Sequence, residues 1–109
     1  MTSTTVRLSP QPVKIVEHVG DTCTINVNAV EAGVDVDLTA WTITAAVYDR
    51  AGGTLTASFA VTGTTTRTLT LSAAQTTTLG RGHHWYEVKG VDASAVTFTL
   101  AHGVFELEY

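Results

Sequence analysis

The chain has 109 residues, which is room for one domain burying roughly 65% of the surface its unfolded chain would expose. Net charge is -4, only 15% of residues are charged, and the six basic ones (Arg7, Lys14, Arg50, Arg67, Arg81, Lys89) lie far apart, which argues against a nucleic-acid partner. No apolar run approaches the ~20 residues that cross a bilayer, so no membrane partner is expected, and Cys23, the only cysteine, excludes an intrachain disulfide.

Roughly one residue in five is Thr, a β-branched side chain that suits the wet face of a strand and is unfavourable in helices. Residues 1–12 are polar and end in Pro10 and Pro12; they read as an N-terminal arm or an edge strand, separate from a domain spanning 13–109. The stretch MTSTTVRLS has no apolar core of a signal peptide, so the chain is expected to be cytoplasmic when made. From Val13 alternation takes over in "VKIVEH" and then "TCTINVNA", where Cys23, Ile25, Val27 and Ala29 share one face. Gly20 and Asp21 supply the turn between these two strands.

"AWTITAAVYD" aligns Trp41, Ile43, Ala45 and Val47, and the turn "DRAGG" ends it. "TLTASFAVT" then aligns Leu55, Ala57, Phe59 and Val61 as a single strand, and "TRTLTLS" aligns Leu69 and Leu71. Strands and turns spaced by about 8–12 residues with one-sided apolarity predict an all-β, antiparallel two-sheet sandwich. Ser72 with Gln75 fits a capping box and Gly80 a helix end, which predicts one short helical turn near residues 73–79. The Thr run argues against a longer helix. Near the end, Val96, Phe98 and Leu100 align on even positions and Phe105, Leu107 and Tyr109 on odd ones, so a β-bulge or tight bend is expected at His102 and Gly103.

The candidate chemical groups favour structural readings. His83 and His84 are neighbours on a strand and point to opposite faces, and His18, His102 and Cys23 show no ligand spacing, so no metal is expected. Asp35 and Asp37 share a strand face without a calcium loop around them and read as turn and edge groups. Cys23 is in phase with Ile25 and Val27 and reads as a core filler. No nucleophile elbow, zinc-helix pair or phosphate-cradling glycine loop is present, so neither catalysis nor a cofactor is expected. Trp85 is out of phase with Tyr86 and Val88, so one of the two sets faces outward. An outward Trp85 would be a contact residue.

Tyr86, two residues before Val88 and after a capped turn, resembles the corner between strands E and F of immunoglobulin domains, with Cys23 in place of the first core cysteine and Trp41 near the buried tryptophan. More specifically, "GDTCTINVNAVEAGVDVDLTAWTITAAVYDRAGGTL", "LTLSAAQTTTLGRGHHWYEVKGVD" and the closing "HGVFELEY" are similar to the immunoglobulin-like N-terminal domain of phage baseplate upper proteins and to small virion proteins of actinobacterial phages. The shared features are Gly20-Asp21, Asp37-Leu38-Thr39, an Asp-x-x-Gly-Gly hairpin from Asp49, a Ser-x-x-Gln-Thr turn from Ser72 and a Gly-x-x-x-Tyr strand from Gly82.

The resemblance implies a non-enzymatic structural protein of a phage virion. Because the sequence stops at Tyr109, where baseplate members usually continue, capsid decoration is the favoured expectation, with the major capsid protein as partner. A tail or baseplate module is the alternative, and a glycan-binding or host-adhesion module built on Trp85 and Tyr48 is the second. Many copies are expected on the particle as a homo-oligomer, with Val6, Leu8, Trp85, Phe105, Leu107 and Tyr109 as candidate interface residues. The arm at 1–12 would extend onto an adjacent subunit.

Overall fold

The computed structural model describes residues 2–7, 14–31 and 34–109. Among these residues, ten strands and one helix form a sandwich of two sheets: β1 (Thr2–Arg7), β2 (Ile15–His18), β3 (Cys23–Glu31), β4 (Val34–Val36), β5 (Thr42–Tyr48), β6 (Leu55–Ser58), β7 (Ala60–Gly63), β8 (Arg67–Leu71), α1 (Ala73–Leu79), β9 (Gly82–Val91) and β10 (Thr97–Glu108). One sheet runs β1-β3-β8-β7 with β4 also on β3, and the other runs β2-β10-β9-β5-β6. The all-β sandwich expected from the alternation is present. Two pairings depart from the antiparallel expectation, since β1 lies parallel to β3 and β2 parallel to β10.

The alternating apolar residues meet between the sheets. Cys23, Ile25, Val27, Leu69 and Leu71 come from the first sheet, and Ile43, Ala45, Val47, Tyr86, Val88, Phe105 and Leu107 from the second; all are buried. The larger of these side chains contribute about 1.5–3 kcal/mol each when fully buried. Trp41 lies at the margin of the core, stacked on Phe98 with ring centres 5.5 Å apart. It can do so because residue 90 is glycine: a Cβ there would sit 2.8 Å from Trp41 Cε3 and 3.0 Å from Ile43 Cδ1.

Three local expectations change. "TLTASFAVT" is two strands, because the chain leaves the second sheet after Ser58 and enters the first at Ala60. Phe59 makes the crossing, buried against Phe105, with its N–H donated to the Ala45 carbonyl (2.9 Å). The register break in β10 falls between Thr99 and Ala101, earlier than His102 and Gly103. Leu100 and Ala101 are consecutive and both buried, which is where the parity of the apolar face changes. Val96, expected on the apolar face, is instead 47% exposed just before β10 begins.

The helix covers Ala73–Leu79, the residues that the capping box and Gly80 delimit in the sequence. Its capping box is complete, with Ser72 Oγ accepting from the Gln75 N–H and Gln75 Oε1 accepting from the Ser72 N–H. The Thr hydroxyls that argue against a helix turn back onto its own carbonyls: Thr77 donates to Ala73 O and Thr78 to Ala74 O. Thr76 is fully buried and ties the helix to the turn before β3, accepting from the Gly20 N–H (3.1 Å) and donating to the Asp21 carbonyl (2.9 Å).

Thr76→Val keeps the shape and removes these bonds together with the one its hydroxyl shares with the Ala73 carbonyl, so it should destabilise the domain by about 2 kcal/mol in urea unfolding. Gly90→Ala should lower stability by about 1–3 kcal/mol through overpacking against Trp41, and Trp41→Leu in the same background should recover part of that loss.

Candidate functional site

Burial of alternate residues on β5, β9 and β10 fixes what their outer face presents. The strand registers set Leu55 opposite Tyr48, Tyr48 opposite Trp85, and Trp85 opposite Val104. Four apolar side chains therefore form one row across β6, β5, β9 and β10. Leu55 is 54% exposed, and the other three are half-buried. The His102 ring lies against Trp85 with centres 5.7 Å apart. The Trp85 Nε1–H is buried and has no acceptor among the described residues, an arrangement that costs about 1–3 kcal/mol.

Polar and charged side chains flank this row. On one side His83 Nε2 is 2.5 Å from Glu106 Oε1, and Lys14 Nζ is 3.7 Å from Glu106 Oε2. The hydrogen bond from His83, and after it the charge of Lys14, hold the Glu106 carboxyl below its usual range. On the other side Lys89 Nζ lies 3.6 Å from Glu87 Oε2. Beyond His83 an open depression of about 520 Å³ is lined by Arg81, Glu106 and Tyr109 among others. The Arg81 guanidinium stands over the Tyr109 ring, 5.5 Å from its centre.

The candidate interface residues separate. Trp85 is on the outer face and Tyr109 is 83% exposed. Phe105 and Leu107 are core residues, at 0% and 1% exposure, because the shift at Leu100 turns the odd positions inward and leaves Val104 and Glu106 outside. They offer no surface to a partner. Val6 lies in β1 opposite Ala29 of β3, and Leu8 falls outside the described residues. Leu55, expected in phase with Ala57 and Phe59 on the apolar face, is instead exposed, because the register shifts between Val47 and Tyr48 and sets it opposite Tyr48; Val104 is not singled out by the sequence, since only strand pairing brings it beside Trp85.

The remaining chemical candidates serve the fold. His83 and His84 diverge, one to Glu106 and the other to the Gly80 carbonyl (3.1 Å). Asp37 closes a turn by accepting from the Thr39 hydroxyl and N–H, and these bonds lower its pKa. The side chain of Asp35 is outside the described residues. Cys23 is fully buried, and desolvation pushes its thiol up to about 12, which leaves it essentially no thiolate at neutral pH. Burial likewise raises Tyr86 to about 12. No group of three or more His, Cys, Asp or Glu side chains placed to hold a metal ion occurs among the described residues.

No family model and no curated protein matches this chain. Among solved structures, the N-terminal domain of phage TP901-1 ORF48, a baseplate upper protein, superposes over 100% of both chains with a TM-score of 0.58 and 12% sequence identity. The two share the fold. The likeness at this identity is one of architecture, and it covers the arrangement of both sheets from end to end.

Glu106 provides a pH signature for the flank of the row. Its folded pKa is lowered, so the stability it contributes is present above the unfolded carboxyl value and is lost as pH falls through the lower folded value. Glu106→Gln should therefore melt below the native protein at pH 7, and the gap should close as pH falls below about 4.5, read from thermal midpoints across that range.

Proposed function

We propose that this protein is a non-enzymatic structural module of a phage virion, placed in the tail or baseplate and bound there to neighbouring virion proteins. The observation that carries this reading is the end-to-end superposition with a baseplate domain. The apolar row supports it from the residue side: a domain with few charges presents Leu55, Tyr48, Trp85 and Val104 together on one sheet face, a composition suited to a protein contact. Capsid decoration, the favoured expectation from the sequence, gives way to the tail reading, which the match to a baseplate domain supports better. Nothing in the fold or its match favours the head over the tail.

Glycan binding would use the same Tyr48 and Trp85, which are cross-strand neighbours. Their half-burial leaves little of either ring face for a sugar, so the contact reading is the stronger one. Immunogold labelling of virions that carry this protein should place it at the tail end. Label spread over the head would restore capsid decoration. Absence of the protein from both intact and dissociated virions would overturn the structural reading.

A further inference from the structure

The outer face of the second sheet is complementary to itself, and we propose that it is the contact between two copies of this chain, packed face to face about a two-fold axis that runs along the apolar row. The axis crosses β6, β5, β9 and β10 at Leu55, Tyr48, Trp85 and Val104. Rotation about it lays each of these side chains over its own counterpart, so apolar surface meets apolar surface along the whole row.

The flanking residues decide for a second copy. On β9, His83 and Glu87 stand one pleat to either side of Trp85, and on β10, Glu106 and His102 stand one pleat to either side of Val104. The rotation exchanges the two sides. Glu87 of one copy then faces His83 of the other, and Glu106 faces His102, so a carboxylate meets an imidazole four times across one interface. Glu106 engages His83 through Nε2, and the Nδ1 edge of that ring donates to a second carboxylate in the imidazolium form, the only form in which both ring nitrogens carry a proton. Sheets packed in this way keep their strands within about 30° of each other, which the antiparallel alignment of each strand with its own copy satisfies.

The footprint sets the strength. Four strands at about 4.8 Å and three outward rows about 6.7 Å apart give roughly 400 Å² per copy. That is about half the area of a standard interface, so one contact is weak and becomes effective where an assembly holds many copies close together. The inference uses the same apolar row that supports the proposed function, and the two fail separately: a monomeric chain removes the two-fold contact, whereas labelling of virions decides the location.

The test uses two single variants of the full chain, Glu87→Lys and His83→Glu, with folding of each checked by circular dichroism. Sedimentation equilibrium from about 10 to 500 μM covers the range of a weak dimer. The native chain should dimerise, and each variant alone should associate at least tenfold more weakly. In the first homodimer the introduced lysine would face His83, and in the second the introduced carboxylate would face Glu87. Mixed together, the two variants should recover association, since the new lysine of one copy then meets the new carboxylate of the other while the native Glu87–His83 pair forms on the opposite side. A monomeric native chain overturns the proposal. So does a dimer that neither variant weakens, or a mixture no tighter than its components. Tyr48→Lys, in the row itself, is a second probe and should abolish association without altering the fold.

Discussion

Everything in this molecule depends on the contact between the inner face of β3 and β8 and the inner face of β5, β9 and β10. Cys23 is the sole cysteine, so no covalent bridge joins the sheets, and their adhesion is packing alone. Cys23, Ile25, Val27, Leu69 and Leu71 on one side meet Ala45, Val47, Tyr86, Val88 and Phe105 on the other, each at 5% exposure or less. That contact also determines the exterior. Once Tyr86 and Val88 are inside, the pleat places Trp85 and Glu87 outside, and the surface chemistry of the second sheet follows from the burial of its alternate residues.

Around this contact, polar groups close what the strands leave open. The Arg67 guanidinium donates through Nη2 to the carbonyls of Leu38 and Trp41, both at 2.9 Å, and through Nε to Thr64. It thereby holds the segment that carries Leu38 into the core and leads into β5. Thr76 does the same for the turn between β2 and β3. Both devices satisfy backbone groups where loops approach the core, the places where a sandwich without a disulfide is most exposed to local opening.

How much of this is legible in the sequence follows from what local pattern encodes. Alternation places Cys23, Ile25, Val27, Ile43, Ala45, Val47, Leu69 and Leu71 inside, and the capping box locates α1, because both signals are complete within a few residues. The sheet change at Phe59 is not legible: the same alternation runs through Leu55 to Val61, while the crossing is decided by a distant ring, Phe105. Parity predicts a bulge in β10, but parity alone does not say where the extra residue sits. The packing of Leu100 and Ala101 decides it. The helix occupies the expected residues 73–79, and the Thr hydroxyls that compete with helical bonds are absorbed by the preceding turn. Of the candidate site, parity reduces the orientation of Trp85 to two options. The row itself cannot be seen, since it exists only through three inter-strand registers.

The fold match and the surface row therefore carry different information. At 12% identity the likeness to the baseplate domain lies in the arrangement of strands, which many sequences with the right alternation can adopt. What such a domain attaches to is set by residues that the core does not constrain. On this chain those residues include an indole whose N–H is buried without an acceptor among the described residues and an exposed Leu55 one strand beyond Tyr48. Neither lies in the core between the two sheets. Their presence on one face, in register with Val104, is what the proposed contact surface accounts for.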